Sequence, residues 1–136
     1  MCRLAADIIK GKIEAVTLVF GDYQPVSKKP NEAGIYCIYR ADNGGRPKEL
    51  LYVGETGNLE SPITDICKDW NEKNEPVYCL APMKNGKDEL LRAKSALIYK
   101  FKPERNEKGK DSFNYGKMSV LITGGKFPCS MFIIGK

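Results

Sequence analysis

Histidine is absent from all 136 residues. That removes serine–histidine and cysteine–histidine triads, and it removes histidine as a metal ligand or general base. Any catalysis must run on tyrosine, carboxylate, lysine or arginine. Long apolar runs are also missing, so no stretch is suited to spanning a bilayer and no membrane partner is expected. The stretch MCRLAADIIKGK at residues 1–12 carries Arg3, Asp7, Lys10 and Lys12 where a signal peptide needs an apolar run, which predicts a cytoplasmic location. Closely spaced cysteines are lacking too. Cys2, Cys37, Cys67, Cys79 and Cys129 are odd in number and scattered, which argues against a zinc site or a redox pair and for buried free thiols. Without repeats, low-complexity segments or a linker, residues 1–136 read as a single domain.

What is present is an ordinary globular balance, 42% apolar and 29% charged, with a net charge of +5 that is unevenly placed. Residues 84–136 hold twelve Lys/Arg against five Asp/Glu, whereas residues 1–83 hold ten against twelve. A basic C-terminal half suits phosphates, and it equally suits a solvated lysine-rich surface.

Residues 2–10 predict a short helix, and Ile13 to Phe20, rich in β-branched and aromatic residues, predicts a strand. A loop with two prolines and two glycines follows. Gly34 to Arg40 and Glu49 to Gly54 read as two antiparallel strands joined by a turn containing Asn43-Gly44-Gly45. Ser61 and Pro62 read as an N-cap and first helical position. In the helix they open, Leu59, Ile63, Ile66, Cys67 and Trp70 share one face, and Glu60, Asp65, Asp69 and Glu72 give an acidic outer side. Pro76 to Pro82 predicts a third short strand, and residues 88–101 a second helix. There Leu90, Leu91, Leu97, Ile98 and Phe101 form an apolar arc with Lys94 near its centre, so that this lysine points inward. A polar, basic connector leads to a terminal hairpin from Met118 to Ile134.

Gly34-Ile35-Tyr36, Tyr52-Val53-Gly54, Gly57-Asn58-Leu59 and the run ALIYKFKPERN, with Leu97, Ile98, Pro103 and Asn106, fall in the order and spacing of one family. Over about residues 30–107 the chain resembles the GIY-YIG nuclease domain. The resemblance implies a small α/β (α+β) fold with a mixed or antiparallel sheet flanked by helices, here extended by the hairpin at 117–135. It also implies metal-dependent phosphodiester hydrolysis. In that chemistry a strand tyrosine helps activate water, a helix arginine stabilises the phosphate, and a glutamate on the later helix holds Mg²⁺ or Mn²⁺.

Tyr36 and Tyr52 match the family tyrosines, and Gly34, Gly54 and Asn106 match its structural positions. The arginine's place falls on Pro62 and the glutamate's on Lys94. Glu55 follows the second motif, and an ion pair between Glu55 and Lys94 is expected where nucleases hold metal, worth a few kcal/mol if buried. The resulting expectation is a degenerate site with no cofactor. Such a domain binds nucleic acid or a nucleic-acid-processing protein as inhibitor, adaptor or decoy. The alternative is an active Mg²⁺- or Mn²⁺-dependent endonuclease with relocated carboxylates. Lys100, Lys102, Arg105, Lys108 and Lys110, with Phe113 and Tyr115 nearby for stacking, are the candidate nucleic-acid contacts. The apolar terminal hairpin packs on its own domain or offers a homodimer edge.

Overall fold

The computed structural model describes residues 14–30, 32–56, 63–83 and 87–135. The expected helix at residues 2–10, the Gly57-Asn58-Leu59 stretch, Glu60 and the Ser61-Pro62 cap lie outside the described residues. Among the described residues the order is β1 (Glu14–Val19), β2 (Gln24–Pro25), β3 (Gly34–Ala41), β4 (Pro47–Thr56), α1 (Thr64–Cys67), β5 (Val77–Pro82), α2 (Lys87–Phe101), β6 (Met118–Thr123) and β7 (Met131–Ile134). The α+β class read from the sequence is the class observed. No helix among these residues is long and apolar enough to cross a membrane.

The strands divide between two sheets rather than one, in the orders β1-β6-β7 and β2-β5-β3-β4. In β1 the alternation is strict, with Val16, Leu18 and Phe20 buried and Ala15, Thr17 and Val19 exposed. Such a strand covers a core with one face only. Its partner is β6, parallel, in register from Glu14↔Met118 to Val19↔Thr123, and β7 pairs antiparallel with β6. The terminal hairpin therefore packs on its own chain, contributing Met118, Val120, Ile122, Phe132 and Ile134 to the core. Strand β7 begins at Met131, later than the sequence suggests. Pro128 cannot donate to a ladder, and Phe127 is used instead to pack on Phe20, Tyr39 and Phe101.

Strand β3 is the centre of the four-stranded sheet and is covered on both faces, which is why its apolar run is nearly continuous. One face, with Ile35, Cys37 and Tyr39, joins Cys79, the three-stranded sheet and Ala93, Ala96 and Leu97 of α2. The other, with Tyr36 and Ile38, joins Tyr78, Ile63 and Cys67. Tyr39 is wholly buried, and its hydroxyl both donates to Lys126 O and accepts from Lys126 N–H, at 3.0 Å each. Gly34 is needed because a Cβ there would strike the Ala81 carbonyl of β5.

The first helix is much shorter than its periodicity implies. Helix α1 is a single turn, and Asn71, at φ 58°, ends that segment in the left-handed region that asparagine tolerates. Helix α2 matches its expected span. It ends with Lys102 at φ 47°, whose N–H still reaches Ile98 O at 2.9 Å, and Pro103 blocks continuation.

Candidate functional site

The register Tyr36↔Gly54 and Ile38↔Tyr52 places Tyr36 and Tyr52 diagonally on one face of the β3–β4 pair. Their rings stack at 6.2 Å and 26°. Gly54 makes this possible, since a Cβ at that position would lie 2.5 Å from Tyr36 Oη. Tyr36 is 4% exposed. Burial first, then the neighbouring Tyr52, Cys67 and Glu55, push its hydroxyl well above the ordinary tyrosine value. Trp70 extends the aromatic surface, 5.8 Å from Tyr52, with the Arg105 guanidinium 5.6 Å from its ring centre.

Glu55 and Lys94 come together as expected, with Lys94 Nζ 3.3 Å from Glu55 Oε1. Alternation along β4 turns Glu55 away from the Tyr52 face and toward α2. The pair and the tyrosines therefore approach the β4 edge from opposite sides. Tyr52, Trp70, Lys94, Asp65 and Lys108 line one cleft of about 650 Å³ there. Lys94 is not at the centre of the buried stripe. Ala93, Ala96 and Leu97 are the fully buried positions, because small residues let α2 press against the sheet, and Lys94 lies on the flank. The Lys94 and Glu55 side chains are 28% and 31% exposed. That lowers the expected worth of the pair from a few kcal/mol to about 1 kcal/mol or less.

A cation such as Mg²⁺ is held by one or two carboxylates, with waters and substrate phosphates completing its shell. Glu55 already faces an ammonium that would repel it, and among the described residues no three of Cys, Asp and Glu converge. Glu55, paired with Lys94, is therefore a poor fit for the metal. Pro62, where the resemblance implies an arginine, lies outside the described residues.

Asn106 has a definite structural task. Strand β4 is a sheet edge, and the chain after α2 runs along it: Arg105 N–H donates to Leu51 O at 2.6 Å. Asn106 completes the edge, its Oδ1 accepting from Val53 N–H at 2.9 Å and its Nδ2 donating to Val53 O at 3.0 Å. Arg105 is drawn inward, donating to Trp70 O at 3.0 Å and to Glu72 Oε2 at 3.1 Å. Lys100 lies 5.6 Å from the Phe132 ring centre. Lys102 lies over Tyr99 at 4.5 Å and donates to the Tyr99 and Lys110 carbonyls. Lys110 Nζ donates to Glu104 O at 3.4 Å, and Lys108 is exposed at the cleft.

Two groups escaped the reading of the sequence as site residues. Trp70 appears there only as one of several apolar positions on a helix face, and nothing in its spacing marks it as a cleft wall. Glu72, expected on an acidic outer side, is instead the hub of an ion-pair network. Its side chain is 10% exposed, with Oε1 2.8 Å from Arg40 Nε and Oε2 on Arg105, while Arg40 Nη2 reaches Glu104 Oε2 at 2.8 Å. The Arg40 hydrogen bond foremost, and that from Arg105 against a smaller burial effect between them, hold the Glu72 carboxyl below its ordinary value.

Tyr52 and Trp70 thus wall a cleft at the edge of a small α+β sheet, and the Lys94 ammonium that pairs with Glu55 is part of its lining. No family model matches the chain, and no solved structure matches it. The chain is similar to UvrABC system protein C of Borrelia duttonii (strain Ly) and of Borrelia recurrentis (strain A1), each 30% identical over 112 residues. The match covers 78% of this chain and 17% of either relative.

Proposed function

We propose that the chain is a nuclease-like domain of GIY-YIG type whose cleft has lost its cutting chemistry, and that it binds nucleic acid, or a protein that processes it, as an inhibitor, adaptor or decoy. The similarity to a stretch of UvrABC system protein C supports a nucleic-acid-processing, nuclease-like reading. The single observation that carries the loss of cutting is the contact of Lys94 with Glu55 at 3.3 Å. A cation is fixed there as part of the chain, so no exchangeable metal is required to balance the carboxylate. The retained Tyr36–Tyr52 stack favours the second reading, an active Mg²⁺- or Mn²⁺-dependent endonuclease with relocated carboxylates. A homodimer through the hairpin would use β7, an edge strand of its sheet among the described residues, where Ile133 is exposed.

The test is binding of a labelled oligonucleotide, single-stranded or duplex, followed by fluorescence anisotropy in EDTA and in Mg²⁺ over a range of salt. The expected result is affinity that ignores the metal and falls as salt rises, as release of counterions by lysines requires. Affinity that appears only with metal would overturn this reading in favour of the nuclease. No affinity at low salt would leave a protein partner as the only form of the proposal.

A further inference from the structure

Behind α2 the chain builds a row of three rings that the cleft does not use. Tyr99 lies 6.4 Å from Phe113, and Phe113 lies 5.5 Å from Tyr115, centre to centre. Tyr99 and Phe113 are half-buried against the main core, so the row is anchored, and Tyr115 at its outer end is 38% exposed. Lysines frame both ends. Lys102 sits 4.5 Å over the Tyr99 ring, its ammonium held by the Tyr99 and Lys110 carbonyls, and Lys117 follows Tyr115 by two residues and is exposed. Between residues 100 and 117 six basic residues face three acids. Glu104 is engaged by Arg40 and Arg105 by Glu72, which leaves five lysines against Glu107 and Asp111.

We infer that this row is a stacking platform for single-stranded nucleic acid, an inference that rests on the nucleic-acid reading above and fixes its site and substrate form. An unpaired base lies on Tyr115, which the half-buried Phe113 and Tyr99 hold in place, and the flanking phosphates meet Lys102 and Lys117. Aromatic faces are sequence-tolerant because every base offers a π-face, and lysines add a salt-sensitive attraction along the backbone. A duplex keeps its bases paired and stacked, so it gains only the lysine contacts. The acids Glu107 and Asp111 set a limit on how much non-specific duplex binding the region supports.

The experiment uses the full chain and a fluorescein-labelled single strand of about 12 nucleotides, with the matching duplex beside it, followed by anisotropy at low salt. Wild type is expected to bind the single strand more tightly than the duplex. Tyr115→Ala should weaken single-strand binding about tenfold or more, and Tyr115→Phe should stay within about twofold of wild type. Because Tyr115 is exposed, both variants should fold, which circular dichroism checks. Binding that is indifferent to Tyr115→Ala overturns the platform while leaving the nucleic-acid reading intact. If that indifferent binding also quenches Trp70, the only tryptophan, the strand lies in the cleft instead. Absence of binding to either form overturns both the platform and nucleic acid as the partner.

Discussion

Replacing Asn106 with alanine tests the account of why this chain keeps an asparagine beside its cleft. The side chain is 7% exposed and makes two hydrogen bonds to one residue, Val53, which is itself 1% exposed. Alanine removes both bonds and leaves a backbone donor and a backbone acceptor on a strand edge with no other strand among the described residues to satisfy them. Each such buried group costs about 1–3 kcal/mol when unpaired. Because Asn106 borders the cleft, water can approach the exposed groups, which favours the lower part of that range. The expected loss is about 2–4 kcal/mol, a fall of roughly 6–15 °C in Tm for a chain of this size. Urea denaturation should show a lower midpoint with an unchanged slope, since the folded and unfolded surfaces hardly differ. Hydrogen exchange should show the Val53 amide losing its protection. A midpoint change equivalent to less than about 0.5 kcal/mol would refute the idea that this pairing seals the β4 edge.

Lys94→Ala should be much milder, about 1 kcal/mol or less in the same denaturation series, because both members of the Lys94–Glu55 pair are partly solvated; a loss as large as that of Asn106→Ala would show that the pair is effectively buried. Acid should act through Glu72. Its folded pKa is depressed from the ordinary 4.5, so its stabilising contribution is complete above that value and is lost as pH falls through the folded one. Wild type should therefore lose more stability than Glu72→Gln between about pH 6 and about pH 3, and parallel curves for the two proteins would contradict the network.

The parts of the fold that the sequence disclosed are those encoded locally. The β-branched and aromatic run from Ile13 to Phe20, and the Asn43-Gly44-Gly45 turn that the Asp42 carboxylate braces through Gly44 and Arg46 N–H, need only neighbours to be read. The parallel pairing of β1 with β6 joins opposite ends of the chain, and no local pattern records it. The helix-like spacing from Ile63 to Trp70 misled because burial of Ile63, Cys67 and Trp70 under the sheet is satisfied by one turn and a bend at Asn71, which leaves Ile66 exposed. At the site, the Glu55–Lys94 pair was legible from charge and order. Its position was not, because the arc of large residues on α2 hides the role of Ala93 and Ala96 in setting the buried face. Likewise the lysines of the connector read as one basic run, while the structure divides them among carbonyls and ring faces that only the folded chain brings near.

Cleavage is the most direct test of the central claim that the cleft has lost its cutting chemistry. Supercoiled DNA is incubated with excess protein in Mg²⁺ and in Mn²⁺, beside Tyr36→Phe, and the products are resolved by gel. The account predicts that the plasmid remains supercoiled with both proteins and both metals. Metal-dependent nicking by wild type that is lost in Tyr36→Phe would contradict it, and would mean that the Tyr36–Tyr52 pair still serves a working nuclease.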